Sequence, residues 1–125
     1  MKAKDNKFFD HAIEKLNEAN QELYRPEEDM VSFSVCKNSQ YAIENYLKGY
    51  LLQKGVEPEN YKSIDVLFEE CKKFNKNFER VELSDLDCKA QSMDKRSCNE
   101  ISKVSKCFKI AESLDNFLRI EKIIV

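Results

Sequence analysis

The sequence predicts an all-α protein, an antiparallel up-and-down bundle of four or five helices. Apolar residues recur at three- and four-residue steps over several long segments, which is the spacing of one helix face. The 125 residues include only two glycines and two prolines, so turn signals are few and long helices are favoured over many short strands. Hydrophobic residues make up 42% and charged residues 35%, as in soluble globular proteins, and the length suits a single domain over residues 1–125.

The first helix is predicted from about Asp5 to Leu23. Its end follows from Arg25-Pro26, because a residue that precedes proline is disfavoured in the α region. Apolar side chains occupy one face, and charged side chains occupy the other. The apolar face comprises Phe8, Phe9, Ala12, Ile13, Leu16, Ala19 and Leu23.

The second helix is predicted from Asp29, a suitable N-cap, to about Lys54. Gly55 suits the left-handed conformation that ends many helices, and Pro58 opposes continuation of the helix. This helix is the longest in the prediction, and we expect it to form the axis of the fold.

The third helix is predicted from Ser63 to Phe74 or Asn75. Its inward face comprises Ile64, Leu67, Phe68, Cys71 and Phe74. A connection then leads to a short fourth segment, Ser84–Asp94, which opens with a sequence that resembles a capping box.

The last helix follows a second capping box, formed by Ser97 and Glu100. It carries two neighbouring apolar stripes, so we expect it to pack both on the bundle core and on a second copy of the chain. Within the bundle we expect it to lie antiparallel to the second helix. The segment Ile120–Val125 is predicted to be a short strand or a packed tail, and it adds apolar surface for a homodimer.

Charge and hydropathy exclude some classes of protein. A net charge of −2 and a pI near 5.6 argue against a general nucleic-acid coat protein, which usually has a basic surface. No apolar run approaches the ~18 residues of a membrane span. The first residues, Met1–Lys7, lack the apolar stretch of a secretory signal, so we expect a cytoplasmic protein.

The five cysteines are odd in number and form no C-x-x-C pair. The only histidine, His11, is far from each of them in the sequence. Cys71 and Cys107 fall on apolar stripes, where a thiol behaves as a small hydrophobic group. We therefore expect buried thiols rather than metal or redox chemistry, and no cofactor.

Three polar residues of the second helix, Gln40, Glu44 and Lys48, are spaced four residues apart. Each step of four residues turns only about 40° around a helix, so these side chains form one row, here called the polar row. Two interpretations are open. The row is either a solvated face with Glu44 and Lys48 paired, or the polar edge of a groove that binds a ligand.

The same segment resembles the HEPN family, named for higher eukaryotes and prokaryotes nucleotide-binding. The resemblance is most specific from Gln40 to Leu51 (Q-Y-A-I-E-N-Y-L-K-G-Y-L) with Gly55, and it extends from Phe8 to Leu118. It implies an up-and-down helical bundle, a homodimer, and association with nucleotides or nucleic acid. It also implies work beside a separately encoded minimal nucleotidyltransferase, or a role in a toxin–antitoxin or defence system.

Ribonuclease members of that family resemble one another in an arginine and a histidine that are separated by four to six residues. Arg96 lies in the matching place, but the corresponding later positions are Ile101, Ser102 and Lys103. RNA cleavage without a metal needs a group that moves a proton near neutral pH, a role that histidine usually fills. We therefore assign no catalytic residue and favour a binding module over an enzyme.

A basic stretch surrounds Arg96. From Lys95 to Lys109 there are five positive charges and one acid, Glu100, so this stretch is suited to phosphate contact. We expect weak binding of a nucleotide or RNA by a set of six residues: Arg96, Lys95, Lys103, Gln40, Glu44 and Lys48. Two alternatives remain, a HEPN ribonuclease toxin with an atypical site and a purely structural or interaction bundle.

Overall fold

The computed structural model describes residues 2–24, 32–57, 63–81 and 101–123. These residues form four α-helices and a 3-10 helix, and they contain no strand, which confirms the all-α class. The α-helices are α1 (Lys2–Leu23), α2 (Ser32–Gln53), α3 (Ile64–Phe74) and α4 (Ile101–Ile120), and the 3-10 helix is Lys76–Arg80. The predicted cap at Asp29, the segment Ser84–Asp94 and the capping box at Ser97 lie outside the described residues.

Several predicted helix ends are confirmed. α1 ends at Leu23, although it begins at Lys2 rather than Asp5. At the start of α3, the Ser63 hydroxyl accepts a hydrogen bond from the Val66 N–H at 3.3 Å. After α2, Gly55 has a φ of 81°, which is the left-handed conformation predicted for it.

The 3-10 helix lies where the sequence predicted only a connection. Asn75 begins it, because its side-chain oxygen accepts a hydrogen bond from the Asn77 N–H at 3.0 Å. The turn carries Phe78 into the core, where the ring is fully buried. Its centroid lies 4.8 Å from those of Tyr50 and Phe117.

α1 and α2 approach closely at Gly49. The Phe9 ring of α1 lies 2.7 Å from the place where a Cβ on Gly49 would be. Glycine is therefore needed here, because any larger residue would displace that ring. This contact also shows which parts of the two helices are adjacent. The first half of α1 packs on the last part of α2.

α2 and α4 run parallel, and the antiparallel arrangement predicted for them is wrong. Cys36 contacts Cys107, and Tyr46 contacts Asp115, so the paired residues follow the same order along both helices. The chain between these helices includes α3, and two reversals of direction restore the original one. In an up-and-down bundle, helices separated by one other helix are parallel.

The tail after α4 is a turn that packs on the core as far as Ile123, and it is not a strand over that length. Residues 124 and 125 lie outside the described part. Among the helices of the described residues, none combines the length and apolar character that crossing a bilayer requires.

Candidate functional site

The polar row lies mostly in the interior. Gln40 is 2% exposed and Glu44 is 4% exposed, whereas Lys48 extends toward the surface. The Lys48 Nζ lies 3.8 Å from the Glu44 Oε1, so the predicted ion pair is present. The solvated-face interpretation is wrong for Gln40 and Glu44, because both side chains are buried.

The first residue of the polar row faces the beginning of α4. The Gln40 Nε2 donates a hydrogen bond to the Cys36 Sγ at 3.1 Å. The Cys36 Sγ lies 3.4 Å from the Cys107 Sγ, which belongs to the second turn of α4. The structure therefore brings Gln40 next to the N-terminal half of α4 through a pair of buried thiols.

A second buried polar group joins the same two helices farther along. The Tyr46 hydroxyl donates a hydrogen bond to the Asp115 Oδ1 at 2.5 Å, and the Arg119 Nε donates to the Asp115 Oδ2 at 2.9 Å. Burial, and then the hydrogen bond to Asp115, raise the pKa of Tyr46 far above its ordinary value. The hydrogen bond to Asp115 likewise raises the pKa of Arg119. The hydroxyl thus stays protonated and the carboxylate has two donors.

The basic residues of the candidate set are only partly described. Lys95 and Arg96 lie outside the described residues. Lys103 belongs to α4, one turn before Cys107, but its side chain is outside the described part. Lys106 and Lys109 are exposed on the same helix. The structure therefore brings together Gln40, Glu44 and Lys48, and the placement of the other three candidates stays a prediction.

His11 is exposed on α1, close in the chain to Phe9, which packs on Gly49. Cys107 lies beside Cys36, at the opposite end of α2. Thirteen residues separate positions 36 and 49, which corresponds to about 20 Å along a helix. Because α4 runs parallel to α2, the first residue of α4 lies even farther from His11 along the bundle axis than Cys107 does.

The predicted burial of the thiols is confirmed for the three cysteines of the described residues. Cys36, Cys71 and Cys107 are all buried. The Cys71 Sγ donates to the Leu47 carbonyl at 3.6 Å, and burial raises the pKa of this thiol well above its ordinary value. Within the described ranges, no group of three or more His, Cys, Asp or Glu residues is placed to hold a metal ion.

Sequence reasoning missed Asp115 and its partner Tyr46. One signal was available, because Asp115 lies beside Leu114 and shortly before Phe117 and Leu118 on an otherwise apolar stripe. An acid in that position is buried and needs donors. The sequence does not indicate which residue donates to Asp115, since Tyr46 is 69 residues away.

Comparison with known proteins identifies the family. The family model described as HEPN domain matches residues 6–121. The comparisons with curated proteins and with solved structures gave no match. The family match covers nearly the whole chain, including the polar row and all four α-helices. The chain therefore belongs to the HEPN family, whose domains are related to nucleotides and RNA.

Proposed function

We propose that this protein is a non-catalytic HEPN module that binds a nucleotide or a short RNA beside the N-terminal half of α4. The observation that carries this proposal is the connection of the polar row to α4 through Cys36. Gln40 bonds to Cys36, and Cys36 contacts Cys107 in the second turn of α4. The row thus lies near α4, which contains Lys103, Lys106 and Lys109 of the basic stretch.

The position of His11 supports a role without catalysis. A general acid or base must lie within hydrogen-bond reach of the proton that it transfers. His11 and the start of α4 lie at opposite ends of α2, more than about 20 Å apart along the bundle. Arg96 precedes that start by five residues in the sequence, and the positions where the family's ribonucleases carry a histidine are Ile101, Ser102 and Lys103 here.

The proposed roles of the six candidate residues differ. Lys95, Arg96 and Lys103 contact phosphate groups, and Arg96 binds most tightly because a guanidinium forms two parallel hydrogen bonds. Lys48, held by Glu44, lies twelve residues after Cys36, about 18 Å along α2, so its proposed contact is with the far end of an extended ligand such as a short RNA. Gln40 and Glu44 are buried, so they position Lys48 and the thiol pair instead of reaching a base.

Titration of the full chain with a nucleotide panel and short RNAs, at low and high salt, tests this proposal. We expect weak binding that decreases as salt rises, because exposed charges act over about 8 Å at physiological ionic strength. Arg96→Ala should weaken binding roughly tenfold or more. Lys109→Ala is the matched control, since Lys109 is an exposed cation on α4. Equal effects of both variants, or no binding by any ligand, would contradict the proposal and favour a structural bundle.

We also propose that the module acts in the cytoplasm as a homodimer, beside a separately encoded nucleotidyltransferase or within a toxin–antitoxin system. Ile120, at the end of α4, supports the dimer because its side chain is 73% exposed. Sedimentation at micromolar concentration should show a dimer that Ile120→Asp dissociates. A single species of 14.7 kDa would contradict it.

A further inference from the structure

Two buried thiols from different helices lie in contact in this structure. The Cys36 Sγ of α2 and the Cys107 Sγ of α4 are 3.4 Å apart, although 71 residues separate them in the chain. Both side chains are buried, with exposed fractions of 0% and 2%. A disulfide requires an S–S distance of about 2.05 Å, so the sulfurs need to move about 1.4 Å closer.

We propose that Cys36 and Cys107 form a redox-sensitive pair, which a peroxide converts to a disulfide linking α2 to α4. The surroundings favour contact between these two sulfurs over contact with Cys71. The Cys71 thiol donates to the Leu47 carbonyl, eleven residues and about 16 Å farther along α2 than Cys36, and no other sulfur is paired with it in the described residues. Cys71 is therefore a matched thiol, equally buried but without a sulfur neighbour among the cysteines that the structure describes.

The reaction with hydrogen peroxide balances in two steps. In the first, one thiolate attacks a peroxide oxygen, an S–O bond forms, the O–O bond breaks, and the departing hydroxide takes the thiol proton to give water. In the second, the other thiolate attacks the sulfenic sulfur, the S–S bond forms, and the S–O bond breaks. The hydroxide that leaves takes the second proton as water. Two thiols and one peroxide thus give one disulfide and two waters.

Burial determines how this oxidation proceeds. Peroxide must reach the sulfurs through a local opening of the contact between α2 and α4, because neither thiol faces solvent. Once formed, the disulfide closes a long loop and restrains the unfolded chain. We therefore expect the oxidised protein to have a higher unfolding midpoint, with a folded-to-unfolded ratio raised about a hundredfold. A reductant should reverse the change.

Peptide mapping of the full chain tests the proposal. The native protein is treated with peroxide, remaining thiols are alkylated, and the digest is analysed by mass spectrometry without reductant. We expect a linked pair of peptides containing Cys36 and Cys107, two hydrogens lighter than the separate peptides, while Cys71 is recovered unlinked. Circular dichroism before and after treatment verifies that the link forms in folded protein.

Cysteine variants separate this pair from the other thiols. Cys36→Ser and Cys107→Ser should each abolish the link and the rise in the unfolding midpoint. Cys71→Ser, and the double change Cys88→Ser with Cys98→Ser, should both retain them. The proposal is overturned if the folded wild-type protein yields Cys36 and Cys107 unlinked, or if the link requires Cys88 or Cys98. The wild-type mapping remains decisive even if a serine variant fails to fold.

Discussion

The contact between α2 and α4 has two ends of different chemistry. The polar end contains the thiols of Cys36 and Cys107, and the hydrogen bond from Tyr46 to Asp115 lies eight to ten residues farther along, where polar contacts give way to aromatic ones. The aromatic end contains Tyr50 from α2 and Phe117 from α4, with Phe78 of the 3-10 helix between them. The same pair of helices is thus joined by directional contacts at one end and by apolar burial at the other.

The two ends contribute differently to the fold: one mainly to its stability and the other to the register of the two helices. Apolar burial is non-directional and is the main favourable term in folding, so the aromatic end should contribute most to the free energy of unfolding. A buried hydrogen bond contributes less on balance, but leaving one partner unsatisfied is costly. The polar end therefore sets the register of α2 against α4, and it is the end nearer to the start of α4 and the basic stretch.

Loss of the Phe78 ring should produce the largest effect. Phe78→Ala removes a fully buried side chain that contacts Tyr50, Phe68 and Phe117, and it leaves a cavity. We expect the free energy of unfolding to decrease by about 3–5 kcal/mol in chemical denaturation. The control is Phe74→Ala, since Phe74 is partly exposed at the end of α3 and should cost much less. Similar losses for both variants would contradict the assignment of stability to the aromatic end.

The aromatic end also shows how far the sequence predicts the fold. Helical periodicity predicted α1 to α4 and most of their buried faces, because a helix face repeats within a few residues. Phe78 was not predicted as a core residue, since it lies in a short turn without any period. The parallel direction of α2 and α4 was missed for another reason: periodicity identifies faces but does not count the reversals between them.

The candidate site was less predictable than the fold. The pairing of Glu44 with Lys48 was predicted because both residues lie on one helix, four residues apart. The burial of Gln40 was not, because it depends on how α4 packs against this part of α2. The Gln40 side chain donates to Cys36, four residues earlier on the same helix, and Cys36 contacts Cys107 of α4. Contacts between distant segments leave no periodic signal in one sequence.

Alkaline pH should weaken the polar end through Tyr46. The ordinary pKa is 10.0, and burial together with the hydrogen bond to Asp115 raises the pKa in the folded protein. Above pH 10 the unfolded chain releases a proton that the folded protein still holds, so stability is complete below pH 10 and is lost as the pH rises past it. We expect the titration of Tyr46 to lower the free energy of unfolding by about 1.4 kcal/mol per pH unit above pH 10, as measured by chemical denaturation.

Tyr46→Phe provides the control for that pH dependence. At neutral pH the variant should have a free energy of unfolding about 1 kcal/mol lower, because the hydrogen bond to Asp115 is removed. Above pH 10 its free energy of unfolding should decrease less steeply with pH than that of the wild-type protein. Tyr50 and Cys71 also have raised pKa values, so they contribute to the alkaline loss in both proteins and cancel in the comparison. Identical slopes for the two proteins would show that Tyr46 does not titrate as proposed.

The C-terminal ends of α2 and α4 extend the comparison to the backbone beyond the aromatic end. At α2, the Val56 N–H donates to the Leu51 carbonyl at 2.9 Å, and Gly55 holds the left-handed position. At α4, the Ile123 N–H donates to the Leu118 carbonyl at 2.8 Å. The two helices thus end in the same hydrogen-bonded turn, in which the apolar residue after the left-handed position packs on the core.

The residue in the left-handed position differs, and this difference gives the smallest predicted effect. Lys122 has a φ of 62°, a conformation that crowds the Cβ of an L-residue and that glycine adopts without this cost. Lys122→Gly should therefore raise the free energy of unfolding by about 0.5–1 kcal/mol, measured by chemical denaturation. Lys122→Ala removes the same charge but keeps a Cβ, so it should give no such gain. If alanine stabilises the protein as much as glycine does, the lysine charge and not the backbone conformation is responsible. The reverse change, Gly55→Ala, places a Cβ in the equivalent turn of α2 and should cost about 1 kcal/mol.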